Sequence, residues 1–260
     1  MFRKNKRSMV SLIIFITIII AGCAEHSEEV DLIVSAAASL TDALKDIQKL
    51  YESGHPNIKI NYNFGSSGAL QQQIEQGAPA DLFLSAASRN MKALTDKELI
   101  EADRQTNLLN NELVVVIAAD REAAIEEAAD LTDEKIRYVA IGIPESVPAG
   151  SYAKEALTGL HLWDKLQPKM VQGKDVRQVL QYVETGNADA GFVYKSDALT
   201  SDKVRIAFTV DPKTYSIIEY PIGVVKTSKH SREAEDFYLF LQSREALNVF
   251  AEYGFSFPER

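Results

Sequence analysis

Four places in the sequence put small, neutral residues where a strand is predicted to pass into a helix. They are Ala38-Ser39, Ser66-Ser67, Pro148-Ala149-Gly150 and Asp175-Val176. The first N–H groups of a helix have no partner inside it and carry a partial positive charge, so each helix start can hold a negatively charged oxygen atom. Ser39 and Ser67 add hydroxyl donors. Together these residue types favour the binding of an oxyanion by uncharged hydrogen-bond donors.

Tyr194 is a further candidate donor, because it ends a predicted strand and a phenol there could extend into a cleft. Each candidate also has an ordinary structural explanation. The two serines could simply cap their helices, and Tyr194 could be a core tyrosine with its hydroxyl at the rim. Gly150 is predicted to let a ligand approach closely. Lys174 and Arg177, beside the fourth helix start, are expected to face solvent rather than the ligand.

Enzyme motifs are weak in this sequence. The four histidines show no spacing typical of metal ligands, and neither a G-x-S-x-G elbow nor a phosphate-binding loop occurs. Ser151 and Lys154 match S-x-x-K, which leaves a serine acyl-transfer enzyme as a minor alternative. The next motif of that class, however, ends here in Ala198 instead of a side-chain amide. We therefore predict a protein that is not an enzyme and that coordinates no metal ion directly.

Strands and helices alternate along the chain from residue 30. Apolar runs and period-two alternation predict the strands, and i, i+3, i+4 spacing predicts helices between them. Strands are predicted over 30–38, 58–64, 81–85, 113–119, 137–143, 170–171 and 190–194, and helices include 149–159, 175–185, 232–242 and 244–253. A polar turn is predicted at Asn110-Asn111. This alternation predicts an α/β fold with mixed, mostly parallel sheets and helices on both faces.

The ordered part of the chain, about 230 residues, exceeds the commonest domain size, which favours two lobes. We predict a first lobe built from 30–111 and 222–260, and a second lobe built from 112–221. The extended, β-branched segments at about 112–119 and 217–225 are predicted to cross between the lobes. Two such crossovers form a hinge beside a cleft.

The first 22 residues have the pattern of a secretory signal peptide. A basic stretch precedes an apolar run over 9–21, and small residues lead to Cys23, the only cysteine. The run is shorter than the ~20 residues that a membrane-spanning helix needs, and an uncleaved anchor helix is the alternative. We predict a lipoprotein signal peptide over 1–22, a lipid on Cys23 and a polar tether over 23–29. The folded part then lies outside the cytoplasm, anchored to the cell membrane.

The charge of the chain limits its partners. It has 28 basic and 37 acidic residues and a net charge of −9, which argues against nucleic acid as a ligand. Removing residues 1–22 removes four basic residues and no acidic one, which leaves 24 basic residues and a charge of −13. An anion must therefore be held by local donors rather than by the overall field. A single cysteine also excludes a disulfide framework within the chain.

An ordered set of motifs resembles that of the molybdate-binding component of bacterial ABC importers. By this resemblance the chain has the two-lobed fold of type II periplasmic binding proteins, with a two-strand hinge. Gly68 departs from relatives that carry a third serine there. The motifs run from about residue 30 to 257 and are Ala36-Ala37-Ala38-Ser39-Leu40, Phe64-Gly65-Ser66-Ser67, Gly77-Ala78-Pro79-Ala80-Asp81-Leu82-Phe83, Val147-Pro148-Ala149-Gly150, Asp175-Val176-Arg177 and Val193-Tyr194.

The resemblance also implies a function and a site. It implies an extracytoplasmic solute-binding lipoprotein that captures molybdate or tungstate as a ligand, without a cofactor, and delivers it to ABC permease and ATPase subunits. A monomer is expected. The alternative within this class is a binding protein for another oxyanion, such as sulfate. The implied ligand-binding residues are Ser39, Ser67, Ala149, Val176 and Tyr194.

Overall fold

The structure is a computed structural model that describes residues 29–122 and 125–259. The predicted signal peptide and the predicted lipidation of Cys23 lie outside the described residues. Among the helices of those two ranges, none is both long and apolar enough to cross a membrane.

The described chain alternates strands and helices through most of its length. Its first half contains β1 (Val30–Ala37), α1 (Thr41–Gly54), β2 (Ile58–Gly65), α2 (Ser67–Glu75), β3 (Leu82–Leu84), α3 (Ser88–Asp96), β4 (Ile100–Asn111), β5 (Leu113–Ala118) and β6 (Val139–Gly142). Its second half contains α4 (Pro148–Gly159), α5 (Trp163–Leu166), β7 (Met170–Gly173), α6 (Val176–Glu184), β8 (Ala190–Tyr194), α7 (Lys195–Ala198), β9 (Val204–Thr209), β10 (Ile218–Val225), α8 (Ser231–Leu241) and α9 (Arg244–Glu252).

Within residues 29–122 and 125–259, the strands form two five-stranded sheets, ordered β2-β1-β3-β10-β4 and β7-β6-β8-β5-β9. In each sheet four strands point the same way and one is reversed. The reversed strands, β10 and β5, are the first strands after the chain passes from one sheet to the other. Helices pack on both sheets and complete two lobes. The predicted two-lobed α/β fold with mixed, mostly parallel sheets is thereby confirmed.

The two predicted crossover segments are ordinary strands of a single sheet. β5 lies only in the second sheet and β10 only in the first. The chain changes sheet just before each of them, at Glu112 and within residues 210–217. Helix α8 packs on β1 and β10, and α9 packs on α1, so the C-terminal helices return to the first sheet. The lobe boundaries given above stay a prediction.

The predicted turn at Asn110-Asn111 is wrong, because both residues belong to the twelve-residue strand β4. β4 is the edge strand of the first sheet, and much of its surface is only partly buried. An edge strand needs no continuous apolar run, so the polar residues that fill most of β4 hid it from the hydrophobic pattern. The same position at the edge of the second sheet explains why β9 was not predicted.

Candidate functional site

A small cavity lies between the two lobes, where the ends of β1, β2 and β8 meet the starts of α2, α4 and α6. Its volume is about 10 Å³, room for about one water molecule. The structure brings all five predicted site residues, Ser39, Ser67, Ala149, Val176 and Tyr194, to its wall. The rest of the wall is formed by Ala37, Ala38, Gly65, Ser66, Ala86, Val147 and Pro148. Among the described residues, no ionisable side chain other than the Tyr194 phenol is part of this wall.

Ser39 comes from the first lobe and is not a helix cap. It lies in a 3-10 turn, Ala38–Leu40, whose capping residue is Ala37 and makes no side-chain capping bond. The Ser39 Oγ atom instead lies 2.9 Å from the hydroxyl of Tyr220. The capping explanation therefore does not apply to Ser39.

Ser66, and not Ser67, caps helix α2. Ser66 is the N-cap of α2, and its hydroxyl accepts a bond from the Ala69 N–H at 3.4 Å. The fully buried Ser67 hydroxyl accepts a bond from the Ala86 N–H at 2.9 Å. Because its oxygen is the acceptor in that bond, the Ser67 proton remains available to a partner in the cavity.

The start of α4 supplies backbone donors from the second lobe. Pro148 occupies the first position of the helix, where its missing N–H costs nothing because first-turn N–H groups lack partners inside a helix. Ala149 follows in that turn and is fully buried at the cavity. Its N–H is therefore a donor without an intrahelical acceptor.

The predicted role of Gly150 is wrong. Gly150 does not line the cavity, and a Cβ atom there would lie 1.9 Å from the carbonyl oxygen of Gly142, at the end of β6. Atoms cannot approach so closely, so the missing side chain allows the start of α4 to pack directly on the end of β6. Gly150 sets the position of Ala149 through this packing.

Val176 is the first residue of α6 and also lines the cavity. The preceding Asp175 caps the helix by accepting a bond from the Gln178 N–H at 2.8 Å. Asp175 thus satisfies a later N–H group and leaves the Val176 N–H unpaired inside the helix.

Arg177, the second residue of α6, carries a positive charge that is already paired. Its Nε atom lies 2.7 Å from Asp197 Oδ1, and its Nη2 atom lies 2.7 Å from Asp42 Oδ2 in the first lobe. Asp197 is fully buried, and burial raises its pKa to about 6, while the charge of Arg177 acts in the opposite direction. Arg177 thus bridges the lobes and contributes no side chain to the cavity wall.

Tyr194 ends β8 with its hydroxyl buried and unpaired. Within the described residues no hydrogen-bond partner is found for Tyr194 Oη, and the side chain is 1% exposed. Burial raises the pKa of Tyr194 well above its ordinary value, so the phenol keeps its proton. A buried hydroxyl without a partner carries a desolvation cost of about 1–3 kcal/mol, which an anion in the cavity would remove.

Comparison with known proteins identifies the family of this chain. The profile of the family described as "Bacterial extracellular solute-binding protein" matches residues 32–256. The chain belongs to this family.

Individual relatives of this solute-binding protein agree with the assignment. It is 49% identical to the "Putative ABC transporter substrate-binding lipoprotein YvgL" of Bacillus subtilis, over 98% of this chain and 99% of the relative. It is 38% identical to the "Molybdate-binding protein ModA" of Haemophilus influenzae, over 86% and 89% of the two chains. A solved "substrate binding domain of putative molybdenum ABC transporter" from Clostridium difficile is 46% identical, with a TM-score of 0.68 and coverage of 88% and 100%. The resemblance indicated by the sequence motifs is confirmed.

The family is one of substrate-binding proteins, so this member is not an enzyme, as predicted. The contacts of the S-x-x-K residues agree with that assignment. The Ser151 hydroxyl accepts a bond from Arg89 of the first lobe at 2.6 Å, and the Lys154 ammonium lies over the ring of Trp163, 5.2 Å from its centroid. In this solute-binding protein Ser151 therefore contacts the opposite lobe.

Ala86 is the cavity residue that sequence reasoning missed, together with the contact it makes to Ser67. It lies between β3 and α3, in the stretch Ser85-Ala86-Ala87-Ser88. This stretch has the same pattern of small, neutral residues between a strand and a helix as the four helix starts that were singled out. The sequence therefore carries the same signal at this fifth position.

Proposed function

We propose that this chain binds molybdate or tungstate between its lobes and delivers it to an ABC importer. The observation that carries the proposal is the cavity, a small space between the lobes whose polar groups are uncharged donors from both of them. Ser39 and Ser67 offer hydroxyl and N–H groups, Ala149 and Val176 offer N–H groups, and Tyr194 offers its phenol. The names of the Haemophilus and Clostridium relatives support molybdenum as the element.

Seven neutral donors are sufficient for useful affinity. A hydrogen bond to a charged group contributes roughly 1.5–3 kcal/mol, so the gross attraction is on the order of 10–20 kcal/mol. The cost of ordering two lobes and of removing water from the anion must be subtracted. The remaining 8–12 kcal/mol or so corresponds to dissociation constants between about micromolar and nanomolar.

The donor set also favours particular anions. A fully deprotonated tetrahedral oxyanion accepts at every oxygen, whereas a phosphate that keeps a proton needs an acceptor as well. An unpaired proton buried among these donors would cost about 1–3 kcal/mol. Sulfate meets the charge requirement but is smaller than molybdate, so it would leave donors at longer, weaker distances.

We expect molybdate and tungstate to bind with similar affinity, and sulfate and phosphate to bind at least about tenfold more weakly, because a loss of 1.4 kcal/mol is tenfold. Isothermal titration calorimetry of residues 24–260 with the four anions measures this directly. Equal affinity for sulfate and molybdate would contradict the size argument and favour the sulfate alternative.

The same titration repeated between pH 7 and pH 9 serves as its control. Neutral donors do not titrate in that range, and burial keeps the pKa of Tyr194 above it. Affinity that falls steeply over the range would indicate a titrating cation at the site instead.

We also propose that Cys23 carries a lipid that holds the folded part at the outer face of the cell membrane. The pattern of residues 1–23 supports this, as does the word lipoprotein in the name of the Bacillus relative. Mass spectrometry of the N-terminal peptide from the membrane fraction is expected to show a processed, acylated Cys23. An unmodified cysteine, or a peptide that still contains residues 1–22, would contradict it.

A further inference from the structure

Two buried residues, Tyr220 and Asn111, lie behind the cavity wall. Tyr220 contacts Ser39, and Asn111 contacts Tyr220. The Tyr220 hydroxyl lies 2.9 Å from Ser39 Oγ and 3.3 Å from the side-chain nitrogen of Asn111. Tyr220 is 1% exposed and Asn111 is 9% exposed. Neither residue lines the cavity. Tyr220 reaches the cavity wall through its hydroxyl, which contacts Ser39, and through its ring, which packs on Tyr194.

The orientation of the Asn111 amide follows from its other contacts. Its side-chain oxygen accepts a bond from the Glu112 N–H at 2.9 Å. The side-chain nitrogen therefore faces the opposite way, and it donates to Ser196 Oγ at 2.8 Å and to the Tyr220 hydroxyl oxygen. Tyr220 is thus an acceptor towards Asn111.

The position of the remaining protons then follows. Tyr220 has one hydroxyl proton, and Ser39 Oγ is the acceptor that the described residues offer it. If Ser39 donated to Tyr220 instead, the Tyr220 proton would be buried without a partner, at a cost that native structures avoid. Burial also keeps the pKa of Tyr220 well above its ordinary value, so the proton is present. The chain of bonds runs from Asn111 to Tyr220 to Ser39.

We propose that Tyr220, held by Asn111, is a positioning residue that directs the Ser39 hydroxyl proton into the cavity. Ser39 Oγ accepts from Tyr220, so its own proton is left for a ligand oxygen. This inference rests on the proposed function, since it presumes that an oxyanion occupies the cavity.

The second serine is fixed in the same sense by a different group. The Ala86 N–H donates to Ser67 Oγ at 2.9 Å and leaves the Ser67 proton for the cavity. Both serines are therefore held as donors. The Ala86 N–H orients Ser67, and the chain of hydrogen bonds from Asn111 through Tyr220, here called the relay, orients Ser39. A hydroxyl held in this way does not readily turn to accept a bond from a protonated anion, so the relay contributes to selectivity as well as to affinity.

The relay also touches both lobes. Asn111 ends β4 and Tyr220 lies in β10, both strands of the first sheet, whereas Ser196 lies in α7 of the second lobe. The ring of Tyr220 packs edge-on against that of Tyr194, with centroids 5.8 Å apart. The phenol that orients Ser39 thus lies beside the phenol that lines the cavity from the other lobe.

The test is a double-mutant cycle on molybdate affinity. Tyr220→Phe keeps the ring and removes the relay, and we expect it to weaken binding by about five- to tenfold, the value of one hydrogen bond in this environment. Ser39→Ala is expected to weaken binding by about tenfold. In the Ser39→Ala background, Tyr220→Phe is expected to change affinity by less than about twofold, because the relay then has nothing to orient.

Tyr62→Phe is the control, because the hydroxyl of this half-buried tyrosine donates to the Leu44 carbonyl at 3.0 Å and lies outside the cavity wall. It is expected to bind molybdate like the wild type. If Tyr220→Phe does not fold, Asn111→Ala serves instead, because it removes the bond that the Tyr220 oxygen accepts and so no longer holds the phenol proton towards Ser39. Its loss of affinity must again vanish in the Ser39→Ala background.

Two outcomes overturn the inference in distinguishable ways. If the wild type binds molybdate and the two substitutions lower affinity independently, Tyr220 does not act through Ser39, and the proposed function stands without the relay. If the wild type binds none of the tetrahedral oxyanions, the proposed function fails and the relay fails with it.

Discussion

Replacing Val176 with proline is expected to lower molybdate affinity by about 10- to 100-fold while leaving helix α6 intact. Proline has no N–H group, so the substitution removes one donor from the proposed shell. The site accepts proline well, because Val176 is the first residue of α6 and Asp175 is already extended, with φ −154° and ψ 172°. Loss of a hydrogen bond worth about 1.5–3 kcal/mol to a charged ligand gives the expected factor. Titration calorimetry measures it.

Arg244→Pro is the matched control for this substitution. Arg244 is also the first residue of its helix, α9, and the preceding Ser243 is extended, with φ −68° and ψ 156°. Arg244 does not line the cavity, so the Arg244→Pro protein is expected to bind molybdate with wild-type affinity. Circular dichroism reports whether both helices remain. A Val176→Pro protein that binds as tightly as the wild type would show that the Val176 N–H is not a ligand donor.

Replacing Gly68 with alanine is expected to lower affinity by about 5- to 100-fold without lowering the thermal stability of the unliganded protein. Gly68 lies in α2 of the first lobe, and its N–H donates to the Ser146 carbonyl of the second lobe at 3.0 Å. A Cβ atom there would lie 2.6 Å from that oxygen. Overpacking of this kind costs about 1–3 kcal/mol. The cost destabilises the arrangement in which the two lobes are in contact.

The effect on stability has the opposite sign because of helix propensity. Alanine is more favourable than glycine in a helix by about 0.8–1 kcal/mol, so the first lobe itself should gain slightly. Gly54→Ala is the control, since nothing lies within 4 Å of a Cβ at that position. Thermal melting with and without molybdate, together with calorimetry, separates the two effects. A lower melting temperature without ligand would mean that the lobes are already held together in the free protein.

These two substitutions examine different parts of one mechanism. Val176→Pro tests whether backbone N–H groups bind the anion. Gly68→Ala tests whether contact between the lobes contributes to binding. Polar contacts between the lobes also include Arg177 with Asp42 and Arg89 with Ser151. If donors from both lobes must meet one anion, binding favours this closed arrangement, and a permease could recognise it.

The sequence by itself determined most of the elements and the chemical character of the site. Strand β8 was predicted with its observed bounds, and α4 and α6 to within a residue at each end, because apolar periodicity and capping residues act over a few positions. The small residues before α2, α4 and α6 indicated neutral donors for the same local reason. That these donors bind an oxyanion stays a prediction, although the structure brings them to one cavity.

Only the tertiary structure decided how those donors are oriented and which residues support them. Tyr220 contacts Ser39 across 181 positions of sequence, Gly68 meets Ser146 in the other lobe, and Gly150 is required by Gly142 rather than by a ligand. The edge strand β4 could not be predicted for a related reason, since it forms by pairing with β10, which is distant in the sequence. Local patterns record which groups a short segment exposes, whereas these contacts depend on where distant segments meet, and that is set by packing of the whole chain.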